Sequence, residues 1–220
     1  IQLLQQSGQW EQTIFIYASD HGIDAKYTVS DQGLRIPLLI RMPHQSHAGN
    51  SSDALISLAD ILPTLIEWAG GQAPPEIDGV SLLPLIDGKT AHIRREVLGV
   101  QTWQNVQKPK VFPARALIES RYKLTENFNA LAIHQRNLGD NPVVNEFITL
   151  GAQAFPHTPE LELYDVNADP FEHHNLAGDP AHAETVKRMR QRLHTLLQEQ
   201  HDFVLEQPAS ILLKPTLHPL

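Results

Sequence analysis

The run Thr13 to Ser19, TIFIYAS, constrains this chain more than any other stretch: it is apolar, β-branched and aromatic, and it stops at Asp20-His21-Gly22. Such a run reads as a buried strand. Its polar end delivers two side chains to the C-terminal edge of that strand, where open α/β sheets gather their ligands. Ile36 to Arg41, IPLLIR, reads as a second strand of the same sheet, set by Pro37 and stopped by Pro43. From Ser57 to Ala69, the apolar Leu58, Ile61, Leu62, Leu65, Ile66 and Ala69 recur at helical spacing, and Gly70-Gly71 supplies a stop. That spacing predicts a helix packed on the sheet. The segment GQAPPEIDG is turn-rich, and Val80 to Ile86 reads as a short helix before the Asp87-Gly88 turn.

A second pattern begins near Arg95. Glu96 to Thr102, Ala114 to Glu119, Tyr122 to Glu126 and Glu160 to Val166 read as strands whose connections allow antiparallel pairing. The interval Asn127 to Pro159 is polar and irregular, with a weak helical patch around Val143 to Leu150. Asp179 and Pro180 make an N-cap and first helical residue, after which Val186, Met189, Leu193, Leu196 and Leu197 trace one apolar face. The tail from Phe203, with Pro208, Pro215 and Pro219, reads as extended over the surface. The fold class expected is therefore α/β.

At 220 residues and 41% hydrophobic, the chain can bury a sizeable core as one large domain or two small ones. A net charge of -8 without a run of Lys and Arg argues against nonspecific binding to nucleic acid. No apolar stretch approaches the roughly 18 to 20 residues that span a bilayer. The chain has no cysteine, which excludes disulfides, thiolate metal sites and a cysteine nucleophile within these residues. The opening IQLLQQSGQWEQ reads as the tail of a helix joining a strand, so the chain is expected to begin mid-protein.

Asp20 and His21 offer a carboxylate oxygen and an imidazole nitrogen side by side, both able to reach a divalent cation. A capping Asp20 with an exposed His21 is the plainer alternative. Lys26 follows within reach of an anion bound at such a metal, although spacing alone favours a solvated surface lysine. Asp60, on the apolar helix near Pro63, reads as a cap or backbone partner rather than a catalytic acid. His173-His174, beside Asp169 and Glu172, superficially suggests a metal cluster. Arg115, Arg121 and Lys123 fall on a strand pair and either meet an acidic sugar or are solvated or paired surface charges.

The order of motifs makes the chain resemble the sulfatase family of the alkaline-phosphatase-like superfamily. TIFIYASDHGIDAK followed by SDQGLRIPLLIRMP resembles the family segment in which a strand presents Asp and His or Asn to calcium, before a lysine, a D-x-G turn and an R-x-P strand. SLADILPTLIEWAGGQAPPEIDGVSLLPLIDG resembles its helix-plus-turn segment, and FPARALIESRYKLTENFN and LELYDVNADPFEHHNLAGDP resemble its C-terminal strand and turn motifs. The short spacing from His21 to Lys26 and the EN-F-N after RYKL resemble the heparan N-sulfatase (sulfamidase) branch.

The resemblance implies a calcium ion with Asp20 and His21 as two ligands and further ligands upstream, and Lys26 on a sulfate oxygen. The family's nucleophile is a formylglycine made from Cys or Ser in C/S-x-P-x-R; here Val111-Phe112-Pro113-Ala114-Arg115 has that Pro and Arg spacing, but valine cannot be converted. The nucleophile is therefore expected upstream of Ile1, and the isolated fragment is expected to be inactive. The family's D-P-x-E-x-x-N-L stretch is a structural turn, which speaks against a metal at His173-His174. Relatives often place a histidine near the cleft where this chain has Gln101-Thr102-Trp103.

The implied architecture is residues 1–94 as the end of the large sheet domain, 95–205 as a smaller antiparallel-sheet and helix subdomain, and 206–220 as an extended tail. The implied function is hydrolysis of a sulfate ester or sulfamate on a sulfated saccharide, in an exported or lysosomal enzyme. The alternatives are a phosphonate or phosphate monoester hydrolase of the same superfamily and a non-catalytic glycan-binding remnant.

Overall fold

A computed structural model describes residues 1–22, 28–43, 49–104, 110–128, 142 and 159–206. In chain order the elements are α1 (Gln2–Gln6), a 3-10 turn (Trp10–Gln12), β1 (Phe15–Ala18), α2 (Asp31–Leu34), β2 (Leu38–Arg41), a 3-10 turn (Leu58–Asp60), α3 (Ile61–Trp68) and α4 (Leu83–Ile86). There follow β3 (Glu96–Gln104), β4 (Lys110–Glu119), β5 (Tyr122–Asn127), β6 (Leu161–Asp165), a 3-10 turn (Pro180–His182), α5 (Ala183–Glu199) and α6 (Phe203–Glu206). The protein is mixed α/β with antiparallel sheets. It divides into two compact units, Ile1–His21 with Arg35–Val97, and Gly22–Leu34 with Leu98–Leu220.

In the first unit β1 and β2 pair antiparallel, with Tyr17 opposite Leu39 and Ala18 opposite Leu38. The expectation of one sheet for these two runs holds, but the expectation of a buried strand does not. Side chains alternate faces along a strand, and Tyr17 and Leu39 share a face on which they remain 53% and 63% exposed. A ribbon of two four-residue strands cannot cover its own faces. Arg41 braces the base of the ribbon: its guanidinium donates to the Trp10 and Thr13 carbonyls, pairs with Glu11 and lies 4.1 Å from the Trp10 ring centre.

The predicted helix near Ser57 forms as a 3-10 turn running into α3. Ser57 and Asp60 make a reciprocal capping box. The Gly70 amide donates to the Glu67 carbonyl and the Gly71 amide to the Ile66 carbonyl, with Gly70 at φ 82. That is the Schellman ending the glycine pair predicted. Asp60 is fully buried and accepts from the amides of Ser57 and Val80 at 2.7 and 2.8 Å, and it also pairs with Arg94. Thr64, one turn on, accepts from the Leu82 amide at 2.8 Å. The turn therefore returns so tightly that a Cβ on Gly79 would sit 2.0 Å from the Ala59 carbonyl oxygen.

In the second unit the strand order is β3-β4-β5-β6, with β4, β5 and β6 antiparallel. The period of two sorts the side chains. Leu117, Leu124 and Leu163 pack with Met189, Leu193 and Leu197 of α5 and Val204 of α6. Ala114 and Ala116 pack instead with Val29, bordered by Leu34 and Ile118. Asp179 caps the start of the helical segment through the Ala181 amide, as its sequence predicted.

Beyond α5 the chain does not run extended from Phe203. Asp202 caps a further turn through the amides of Val204 and Leu205, because burying Val204 favours a helix over a surface tail. Residues 207–220 and the helical patch expected at 143–150 lie outside the described residues.

Candidate functional site

β1 ends at Ala18, and the next three residues fold back on themselves. The Ser19 hydroxyl donates to the His21 carbonyl at 2.7 Å. This turn leaves His21 Nε2 3.8 Å from Asp20 Oδ1, with the Asp20 side chain 82% exposed. Both side chains therefore stand together just past the C-terminal end of the strand. Lys26 lies outside the described residues.

The donor set suits a hard divalent cation in part. A calcium ion takes six to eight ligands, chiefly oxygens. Asp20 can supply two and His21 one nitrogen. Among the described residues no cluster of three or more His, Cys, Asp or Glu could hold a metal ion. A cation at Asp20 and His21 would need donors from elsewhere.

The other polar candidates have structural employment. Asp60 is the buried hub described above. Arg115, Arg121 and Lys123 are all paired, and two of them are not at the surface. Arg115 is 1% exposed; it grips Asp202 through Nε and Nη2 at 2.7 and 3.0 Å and donates to the carbonyls of Gln101 and Ala114. Lys123, also 1% exposed, meets Glu172 at 2.5 Å. Only Arg121 is exposed, with Asp165 at 2.9 Å and the Tyr122 ring beneath it. Strand alternation says which face a charge takes, but not whether a partner waits there.

His173-His174 sits in the structural turn that its motif implied. Asp165 Oδ1 accepts from the Asn167 and Ala168 amides, and Asp169 Oδ2 accepts from the His174 amide. Burial opposes ionisation of Asp165, but the hydrogen bonds from Arg121, Ala168 and Asn167 outweigh it and hold the carboxyl below its ordinary range. The His174 amide, foremost, lowers Asp169 as well. Asn175 completes the turn: its side chain accepts from the amides of Leu163 and Ala177 and donates to the Leu161 carbonyl. Beside it, burial first and the Glu162 carboxylate second push the Tyr164 hydroxyl well above its ordinary value.

Sequence reasoning missed the partners Asp202 and Asn175. Asp202 had a readable signal, a capping residue before the apolar Phe203-Val204-Leu205. The pairing of Lys123 with Glu172 had none, since the two lie far apart in sequence.

The family described as N-sulphoglucosamine sulphohydrolase, C-terminal, matches residues 19–141. An ulvan-active sulfatase of Formosa agariphila is 40% identical over 89% of this chain and 39% of its own length. Human N-sulphoglucosamine sulphohydrolase is 27% identical over 100% of this chain and 49% of its own length. A structure solved with its substrate D-glucosamine-2-N,6-O-disulfate superposes with a TM-score of 0.72 at 23% identity, covering 94% of this chain and 38% of that one. The fold is shared, and the chain spans less than half the length of these relatives.

Proposed function

The chain belongs to the sulfatase family, and from that premise we propose that it is the C-terminal portion of an enzyme that hydrolyses a sulfate group on a sulfated sugar. The observation that carries the reading is the pairing of Asp20 with His21 at the end of β1, inside the stretch matched by the family. In this reading residues 1–94 complete a large alkaline-phosphatase-like domain and 95–205 form the smaller subdomain.

Asp20 and His21 supply two ligands to a calcium ion, whose charge would neutralise the sulfate when bound. Lys26 binds a sulfate oxygen and stabilises the charge that develops as the S–O or S–N bond breaks, the logic of an oxyanion clamp. The formylglycine nucleophile and the remaining metal ligands are assigned to the enzyme outside these residues, within which no C/S-x-P-x-R occurs. The family description favours N-sulfated glucosamine as substrate, and by analogy with sulfatases that act on polysaccharides the enzyme is exported or lysosomal. Among the described residues no helix is long and apolar enough to cross a membrane.

The test uses the full-length protein on N-sulfoglucosamine and on 6-O-sulfated N-acetylglucosamine. Turnover should fall when EDTA removes calcium and return when calcium is restored. Asp20→Asn, which removes a charged oxygen ligand, should weaken calcium binding. Turnover indifferent to both, or confined to phosphonate esters, would sink the reading.

A further inference from the structure

The α2 segment is held by a carboxylate from far along the chain. Glu172 Oε1 and Oε2 each lie 3.2 Å from the Asp31 amide at the start of α2. Oε1 also accepts from the ammonium of buried Lys123. The turn presenting Glu172 is itself fixed, since its amide donates to the Asp169 carbonyl while Asp165 binds the amides before it. Glu172 stands at φ 57, a region that residues with a Cβ seldom adopt, so the surrounding structure holds it there.

Two further anchors act on the same short segment. Val29 is buried with Ala114 and Ala116 of β4. Leu34 packs so closely on Gly99 of β3 that a Cβ there would lie 2.7 Å from Leu34 Cδ1. Residues 28–34 are thus fixed apolarly on either side of one polar latch, and they begin two positions after Lys26 in sequence.

We infer that Glu172, with Lys123 as its counter-ion, is a positioning residue for sulfate binding: it fixes residues 28–34, which begin two positions after Lys26 in sequence. The inference rests on Lys26 as the sulfate-binding residue. A carboxylate suits the task because its two oxygens serve an amide and an ammonium at once, and burial strengthens both bonds. The D-P-x-E turn thereby acquires a role at the reaction centre without touching substrate.

The experiment compares Glu172→Gly and Glu172→Gln in the full-length enzyme, each with Lys26 intact and in a Lys26→Ala background. Glycine accepts the positive φ and removes the latch; glutamine keeps a carbonyl acceptor for the Asp31 amide. The readouts are kcat and KM on 4-nitrophenyl sulfate and hydrogen exchange at the Asp31, Gly33 and Leu34 amides.

Glu172→Gly should speed that exchange and lower kcat by about 10- to 100-fold with little change in KM, and Glu172→Gln should recover most of the loss. Without Lys26, Glu172→Gly should lower the residual kcat by less than about 2-fold, as expected when two residues act through one interaction. An equal loss of kcat with and without Lys26, or no loss at all, overturns the inference. Should the glycine variant fail to fold, the glutamine variant carries the same comparison. A Lys26→Ala enzyme with undiminished kcat instead removes the premise, while faster exchange in Glu172→Gly would still report the latch.

Discussion

The β1–β2 ribbon and the β3–β6 sheet invert the usual relation between apolar sequence and burial. The ribbon strands FIYA and LLIR are the more hydrophobic, yet neither contains a buried residue. The sheet strand YKLTEN carries charges at its second and fifth positions, yet Lys123, Leu124, Thr125 and Glu126 are all buried. An apolar run shows what a strand is able to bury; layers on both faces decide what it does bury. The sheet has α5 on one face and the segment around Val29 on the other. It can then absorb charge because each buried ion finds a partner: Lys123 with Glu172, Arg115 with Asp202, and Glu126 with Arg190 and His194.

The strongest way to break this comparison is to leave one of those ions alone. Lys123→Met removes the counter-ion of the Glu172 carboxylate, which reaches the sheet from the turn after β6, and should cost about 3–5 kcal/mol in urea unfolding. A cost near zero would mean the sheet interior is wetter than its packing implies. Next, Leu193→Ala, in the core beneath α5, should cost about 2–5 kcal/mol. Asn175→Ala removes three hydrogen bonds at the β6 turn and should cost about 1–3 kcal/mol, chiefly because the Leu163 amide loses its acceptor. At the other extreme, Leu39→Ser on the exposed ribbon face should fall within about 0.5 kcal/mol in this chain. A large loss there would show that the ribbon face is covered in solution.

Acid sharpens the contrast further. The Asp165 carboxyl is lowered in the folded state, so its contribution to stability is fully present above about pH 5 and is lost as pH falls through the depressed folded value. Acid unfolding followed by tryptophan-independent circular dichroism should show a shallower loss below pH 5 for Asp165→Asn than for the parent. An identical profile would remove Asp165 from the account.

Much of this was legible in residue order. The strands at 122–126 and 160–166, the helix face through Met189, Leu193 and Leu197, and the Gly70-Gly71 stop are local patterns, and local geometry carries them into the structure. Asp60 was readable as a backbone partner because its position after Ser57 is a capping position. The adjacency of Asp20 and His21 needed only the chain itself.

The sequence by itself determined most strands and helices, the Asp179 cap, the Gly70-Gly71 stop and the family, since these depend on neighbours within a few residues or on motif order. The tertiary structure alone decided that Arg115 and Lys123 are buried, that Glu172 holds a left-handed backbone against the Asp31 amide, and that the most apolar strands stay exposed. The physical reason is that desolvation and ion pairing depend on which distant groups share a volume, and residue order does not state that volume.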